Sequence, residues 1–176
     1  MSKSQFMGKI TLLLLFLITL PINAQEGYPI PPTNANRLFY IQHSNNHNTY
    51  VYDANIKAGR LDKENPVVVY RIIYTKGGIK RELTALQRKM AYGITFSTID
   101  STFCEFTLAA YPNKKLRLQL DKKGKPYVTV VVNKKRIAIT KMFLVTSITG
   151  TNVKYIDFYG NDVLKDKNTV ERFYPE

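Results

Sequence analysis

Basic side chains are concentrated in one stretch of this sequence. Ten Lys and Arg residues and a single acid, Asp121, lie between Pro112 and Lys141, so this stretch carries a net charge of +9 out of +13 for the chain of 176 residues. Concentrated positive charge attracts anionic partners such as phosphorylated lipid headgroups, acidic polysaccharides or nucleic acids. Lysines on turns and edge strands also keep a β protein soluble and block edge-to-edge pairing, which is the alternative interpretation.

Most of these basic residues fall on predicted hairpin turns, and alternate turns of a meander lie at the same end of a sheet. We therefore expect one cationic surface from five residues: Lys114, Lys115, Lys134, Lys135 and Arg136. The turn at 122–126 falls at the opposite end. Nucleic-acid binders interleave aromatic side chains with basic ones, whereas only Tyr111 and Tyr127 flank these turns. We expect an anionic glycan or lipid headgroup as the partner and no nucleic acid.

Metal-ligand types are present in the sequence without the spacing that a metal site needs. His43 and His47 are the only histidines, and they bracket a predicted turn instead of sharing one face of a helix. The loop 53–65 offers oxygen ligands suited to Ca²⁺, but it lacks the alternating acids of an EF-hand and contains Lys57 and Arg60. The sequence therefore predicts no metal ion and no cofactor.

No motif for nucleophilic catalysis is present. There is no Gly-x-Ser-x-Gly sequence, and the single cysteine, Cys104, shares one face of an alternating segment with apolar residues, which predicts a buried thiol. An envelope hydrolase without a recognisable motif remains an alternative. It requires at least two of five side chains to meet in one cleft: His43, His47, Asp53, Asp62 and Glu64.

Short apolar runs separated by turn residues predict a chain of strands. Tyr and Phe are abundant (12 and 9 residues), Trp is absent, and β-branched residues recur in short runs. Residues 116–121 alternate strictly between Leu and polar side chains, as expected of an antiparallel sheet with one buried face. The predicted strands are 37–43, 49–54, 67–74, 103–111, 116–121, 127–132, 136–148, 153–159 and 169–174.

One short helix is predicted at about 82–92. Thr84 and Gln87 have the spacing of a capping box, and Gly93 lies where a helix C-terminal cap is expected. Three apolar residues repeat at helical spacing and predict the face that packs on the sheet: Leu83, Leu86 and Met90.

Eight or nine short strands with one helix indicate an all-β, mainly antiparallel fold, either a sandwich or a partly open barrel. A barrel with a hollow interior would suit a second function, that of a carrier for a small apolar ligand. A filled interior would exclude a ligand from the barrel centre.

The N-terminal segment has the order of features of a secretory signal peptide. Lys3 and Lys9 precede an apolar run of eleven residues, which Pro21 ends before the small residue Ala24. The run is shorter than the roughly 20 residues that span a bilayer. We expect export with cleavage of 1–24 after Ala24, to the periplasm or the cell exterior, with no transmembrane segment left in the mature chain.

After this signal peptide, residues 25–36 contain three prolines and predict an extended lead-in, and 37–176 form a single β-rich domain. Removal of Lys3 and Lys9 lowers the net charge of the mature chain to +11. A domain of this size does not need a disulfide, which agrees with the presence of one cysteine.

Three segments resemble a known family. They are Pro-Pro-Thr-Asn-Ala-Asn-Arg-Leu-Phe-Tyr-Ile-Gln (31–42), Asn-Pro-Val-Val-Val-Tyr-Arg-Ile (65–72) and Glu-Leu-Thr-Ala-Leu-Gln-Arg-Lys-Met-Ala-Tyr-Gly (82–93). With the signal peptide and the Lys-rich meander, they make the chain similar to small exported bacterial proteins of the family domain of unknown function 4833. The resemblance implies a β-rich domain in the cell envelope and carries no established activity or catalytic residues.

These patterns together favour a non-enzymatic binding module of the cell envelope that contacts an anionic partner through its Lys-rich turns. The small-ligand carrier and the hydrolase remain the alternatives.

Overall fold

The computed structural model of the protein describes residues 27–150 and 152–175, so the predicted signal peptide, 1–24, and its cleavage point lie outside the described residues. No helix in the described ranges is both long and apolar enough to cross a bilayer. The strands are β1 (Arg37–His43), β2 (Asn46–Ala54), β3 (Ile56–Lys57), β4 (Arg60–Leu61), β5 (Val67–Ile73), β6 (Ile79–Glu82), β7 (Ile94–Ile99), β8 (Phe103–Leu108), β9 (Tyr111–Leu120), β10 (Pro126–Val132), β11 (Lys135–Thr146), β12 (Val153–Asp162) and β13 (Lys167–Phe173).

Eleven of these strands form one sheet in the order β6-β5-β2-β1-β11-β10-β9-β8-β7, with β12 paired along β11 and β13 paired along β12. Every pair is antiparallel except β1 with β11. The first half of β11 pairs with β10 and its second half with β1, so one long strand joins two groups of strands. The sheet curls into a half-barrel, which confirms the predicted all-β, mainly antiparallel fold.

A bend in β11 accompanies the curl. Its register with β12 shifts between Ile139 and Lys141, which is the mark of a β-bulge. Gly160 of β12 lies opposite this point, and a Cβ added there would be 2.0 Å from the carbonyl oxygen of Ala138. Only glycine allows the two backbones to approach this closely.

The concave face of the sheet holds the core, and aromatic side chains fill its interior. Phe39 and Tyr52 are fully buried and stack with their ring centroids 4.4 Å apart, and Phe106 is also fully buried. Cys104 is fully buried, as predicted, and burial raises the pKa of its thiol to about 12. The fully buried rings of Phe39, Tyr52 and Phe106 form a packed core.

The predicted helix is present, but it is shorter than predicted and most of it is π-helical. After β6 ends at Glu82, the helix α1 (Ala85–Gln87) continues into a π-helical turn (Arg88–Tyr92). The capping box is confirmed, because the Thr84 hydroxyl accepts from the Gln87 amide N–H at 3.2 Å while the Thr84 N–H donates to Gln87 Oε1 at 3.1 Å.

The predicted packing face of this helix is wrong for two of its three residues. Leu83 is buried at 6% exposure, whereas Leu86 and Met90 are 70% and 62% exposed. Leu83 precedes the N-cap Thr84 and lies outside the helix, so its spacing to Leu86 does not define a shared helix face. The i to i+5 hydrogen bonds of the π-helical turn in addition move Met90 out of the periodicity of 3.6 residues per turn on which the prediction depends.

The meander also differs from the prediction at one turn. Residues 112–115 lie inside β9, and the turn between β8 and β9 consists of Ala109 and Ala110. Proline favours turns, but it is also tolerated near the start of a strand. Lys114 and Lys115 therefore belong to a strand and point to opposite sides of it.

Candidate functional site

A shallow groove of about 560 Å³ crosses the outer face of the sheet, the face opposite the core, over β8 to β11. Four basic residues and one acid, Glu105, line it together with polar side chains and Val131. We call this surface the cationic groove. Its basic residues are Lys114, Lys115, Arg117 and Arg136.

Cross-strand pairing places these side chains side by side. Arg117 of β9 lies opposite Glu105 of β8 and Thr129 of β10, and Arg136 of β11 lies opposite Val131 of β10. Residues opposite each other in neighbouring strands project from the same face of a sheet. The register of the meander therefore builds the groove from four strands.

Glu105 forms ion pairs with two basic residues along one wall of the cationic groove. Its carboxylate accepts from Lys115 Nζ at 3.0 Å and from Arg117 Nη1 at 3.3 Å, and the hydrogen bond from Lys115 is the main reason that the pKa of Glu105 is lowered. The Arg117 guanidinium lies 4.3 Å from the centroid of the Phe103 ring. Its buried Nε has no hydrogen-bond partner among the described residues. Glu105 thus neutralises one of the four positive charges.

The five predicted basic residues do not all reach the cationic groove. Lys115 and Arg136 line its outer face, and Lys114 lines its end, where the ammonium is 3.5 Å from the Val131 carbonyl oxygen. Lys135 instead forms an ion pair with Glu171 of β13, on the other side of the strand from Arg136.

Lys134, the fifth residue, is exposed in the β10–β11 turn with a φ of 66°. Three further residues line the groove that the sequence analysis did not predict as site residues: Arg117, Gln119 and Thr129. Pairing 116–121 against 127–132 across the turn at 122–126 would have placed them on one face, because alternate residues share a face.

The ammonium of Lys114 lies in an environment that is partly shielded from water. It is 4.0 Å from the centroid of the Phe173 ring, and Phe173 packs against the core. Burial lowers the pKa of Lys114. None of the described carboxylates forms an ion pair with Lys114, so this charge is only weakly compensated inside the protein.

A second cavity, of about 390 Å³, lies where the end of β1, the turn between β8 and β9 and the second half of β11 meet. We call it the mouth pocket. The π-helical turn forms part of its wall, and its apolar side chains are Ile41, Met90, Leu108, Met142, Leu144 and Val153.

One hydrogen-bonded pair of polar side chains lies in the mouth pocket. The Tyr92 hydroxyl is 2.8 Å from His43 Nε2, and the Tyr92 ring stacks on Tyr50. Burial lowers the pKa of His43 to about 4, so its imidazole is neutral at pH 7. Burial is also the main reason that the pKa of Tyr92 is raised, which keeps the hydroxyl protonated.

The side chains that a hydrolase or metal site would require are separated. Asp53 is held by Arg37 Nε at 2.5 Å and by the Tyr70 hydroxyl at 2.9 Å, while Asp62 binds Lys57 Nζ at 2.6 Å. His47 is exposed on another surface. No group of three or more His, Cys, Asp or Glu side chains in the described part of the chain is placed to hold a metal ion.

Comparison with known proteins gives one match. A family model described as Domain of unknown function (DUF4833) matches residues 39–172, a range that begins in β1 and ends in β13. No curated protein and no solved structure matches the chain. The family resemblance inferred from the sequence is confirmed.

Proposed function

The chain belongs to this family, domain of unknown function DUF4833, and from that premise we propose that it is a non-enzymatic binding module of the cell envelope whose cationic groove holds an anionic glycan. The single observation that carries the proposal is the excess of positive charge in the groove. Four basic side chains line it and only Glu105 opposes them, which leaves a net charge of +3. Lys134, in the adjoining turn, adds a further cation.

The groove retains positive charge that the protein itself does not pair. Lys115 and Arg117 share Glu105, but neither Lys114 nor Arg136 forms an ion pair with any described acid. Partial burial of the Lys114 ammonium strengthens its interaction with an added anion, because the effective dielectric constant is lower away from bulk water. Carboxylate or sulfate groups of a ligand would complete these contacts.

The shape and lining of the groove favour a glycan over a lipid surface. A concave site accommodates a chain, whereas a bilayer needs a protruding or flat surface. Gln119 and Thr129 offer hydrogen-bonding groups to sugar hydroxyls in the groove, and the Tyr127 hydroxyl lies beside Gln119 at 3.4 Å. A phosphorylated headgroup carries fewer hydroxyl groups than a chain of sugars, so it would use less of this polar lining.

The outer face continues past the groove along β11 and β12. Lys141 lies over the rings of Phe143 and Tyr159, at 5.2 and 4.9 Å from their centroids, and burial lowers its pKa. Arg136 and Lys141 are five residues apart on the same strand, a separation of about 16 Å in extended backbone. A chain of anionic sugars could therefore contact both cations at once.

Binding to oligogalacturonate, a chain of carboxylated sugars, tests the proposal by calorimetry on the chain without 1–24. We expect affinity to fall steeply between 50 and 500 mM NaCl, because exposed charges are screened over about 8 Å at physiological ionic strength. We expect Arg117→Gln/Arg136→Gln to weaken binding at least tenfold. The control Lys122→Gln/Lys123→Gln removes the same charge at the opposite end of the sheet and should change affinity less than threefold.

Two results would overturn the glycan proposal. Equal loss of affinity in the two double variants would mean that net charge and not the groove attracts the ligand. Tighter binding to phosphatidylglycerol vesicles than to oligogalacturonate, abolished by Arg117→Gln/Arg136→Gln, would assign the groove to lipid headgroups.

Export is part of the same proposal, because an envelope glycan is met only outside the cytoplasm. The apolar run before Ala24 and the absence of acidic residues from 1–24 support cleavage there. N-terminal sequencing of the protein recovered from the periplasmic or medium fraction should begin at Gln25. Recovery of the intact N-terminus in the cytoplasm would contradict this part.

Neither alternative function gains the same support. The hydrolase needs two of its five candidate side chains in one cleft, and His43, Asp53 and Asp62 lie in three separate environments. The carrier needed a hollow barrel, whereas aromatic side chains fill the interior. The mouth pocket is the cavity that a carrier could still use.

A further inference from the structure

We propose that the mouth pocket binds an uncharged, mainly apolar small molecule that carries one hydrogen-bonding group, such as a medium-chain alcohol or ester. This site goes beyond glycan binding, because the mouth pocket and the cationic groove share no lining residue. The two proposals therefore stand or fail separately.

The lining of the mouth pocket excludes a charged ligand. Of the described residues that line it, none is Lys, Arg, Asp or Glu, although the chain has a net charge of +13. A charged group moved from water into such a lining would lose its hydration without gaining a counter-ion, which is strongly unfavourable. Aliphatic and methionine side chains of four strands and of the π-helical turn offer the apolar contacts instead.

The pocket has the size and composition of a small-molecule site. Its volume of about 390 Å³ falls in the range of roughly 300–1,000 Å³ that such sites occupy, and they combine apolar walls with a few placed polar groups. Met90, in the π-helical turn, and Met142, in β11, both line the pocket. Methionine has a flexible and polarisable side chain, so this lining can adapt to the shape of a ligand.

Asn45, Asn46, Tyr111 and Thr146 also line the pocket, and among its polar side chains the buried His43 and its partner Tyr92 are the pair that we assign to the polar group of the ligand. Because the imidazole is neutral, it has one donor and one acceptor nitrogen, and the Tyr92 hydroxyl can also donate or accept. A single hydroxyl or carbonyl group on the ligand can therefore join this hydrogen bond. An ionised group would find no counter-charge there.

Two large apolar side chains of the helical segment face water, Leu86 in α1 and Met90 in the π-helical turn. Tyr92 and Met90, both in this turn, line the pocket, while Met90 and Leu86 are largely exposed. Single π-helical turns occur frequently at functional sites, and clustered exposed apolar side chains mark interaction sites. Met90, which lines the pocket, is placed to cover the apolar part of a ligand that protrudes from it, and Leu86 lies four residues earlier in the same helical segment.

Binding of the neutral fluorescent probe N-phenyl-1-naphthylamine tests the proposal on the chain without 1–24. Ala110 is exposed and lines the pocket, so Ala110→Trp should obstruct it without disturbing the core. We expect the wild type to bind the probe with micromolar affinity and Ala110→Trp to weaken binding at least tenfold. The control Leu164→Trp adds the same ring at a residue that is 90% exposed and outside the pocket, and it should leave affinity unchanged.

Competition tests the chemical class of the ligand. Dodecan-1-ol should displace the probe from the wild type at least tenfold more effectively than dodecanoate at pH 7.5. Tyr92→Phe removes the hydroxyl but keeps the ring, so it should reduce the affinity for the alcohol several-fold and leave probe binding nearly unchanged.

Three results would overturn the proposal. The first is a wild type that does not bind the probe, and the second is probe binding that Ala110→Trp leaves intact while thermal melting shows a folded variant. The third is preferential displacement by dodecanoate. In the second case, loss of probe binding in Leu86→Gln would assign the probe to the exposed helix surface.

Discussion

Residues of the same type have different roles in this protein because their surroundings differ. His43 and His47 are four residues apart and look equivalent in the sequence, yet His43 is buried against Tyr92 and Tyr50 while His47 is exposed. The same holds for Leu83 and Leu86, of which only the first reaches the core. Local pattern predicts which side chains are apolar or titratable, but tertiary packing decides their exposure.

The burial of His43 predicts how stability depends on pH. The ordinary pKa of histidine is 6.5, and burial lowers the pKa of His43 to about 4 in the folded protein. The unfolded chain therefore binds more protons between pH 4 and 6.5. The contribution of neutral His43 is fully present above pH 6.5 and is lost as the pH falls to 4, with a total of about 3 kcal/mol.

Urea denaturation from pH 4 to 8 measures this effect. We expect His43→Gln to flatten the pH dependence of the free energy of unfolding between pH 4 and 6.5, whereas His47→Gln should leave the wild-type slope. A wild-type slope in His43→Gln would show that other groups cause the acid sensitivity.

The helix residues give a second prediction. Leu83→Ala removes a buried side chain and should lower the free energy of unfolding by about 2–4 kcal/mol. Leu86→Ala removes an exposed one and should change it by no more than about 0.5 kcal/mol. Urea denaturation midpoints, compared between variants with equal m-values, measure both losses. Equal losses of free energy of unfolding in the two variants would place Leu86 in the core.

At the scale of elements, sequence reasoning succeeded where the pattern is local. Alternation and turn residues predicted β1, β10 and most of the strands from β8 onward, and the capping box at Thr84 was identified correctly. The edge strands β6 and β7 were missed because their exposed, mixed composition produces no buried face. The parallel pairing of β1 with β11 joins residues about 100 positions apart, and no local pattern contains that information.

The bend at the centre of β11 yields a prediction at this scale. Gly160→Ala would place a methyl group against the backbone of Ala138 and Ile139, which cannot move aside as a flexible side chain can. We expect a loss of about 3 kcal/mol or more in the free energy of unfolding, or failure to fold.

Gly27→Ala is the matched control for this substitution, since no described atom lies within 4 Å of its added methyl group. Thermal melting should leave that control within about 0.5 kcal/mol of the wild type. A Gly160→Ala variant as stable as the control would mean that β11 and β12 approach each other less closely.

At the scale of the whole molecule, the fold separates charge from apolar surface. The outer face carries the cationic groove, while the mouth pocket has an uncharged lining despite the high net charge of the chain. Sequence reasoning located the basic stretch and three of the groove residues, Lys114, Lys115 and Arg136. The ion pair between Lys135 and Glu171 was not predicted. Which face of the sheet each lysine occupies depends on the bounds of β9 and β11, and the sequence pattern did not give these bounds correctly.

Binding of a glycan in the cationic groove can be followed residue by residue, by a titration of the ¹⁵N-labelled chain with oligogalacturonate that records the amide chemical shifts. We predict saturable shifts centred on Arg117, Thr129 and Arg136, with residues 122–125 at the opposite end unaffected. Shifts centred on 122–125, shifts spread evenly over all lysines, or no shifts at millimolar ligand would contradict glycan binding in the groove.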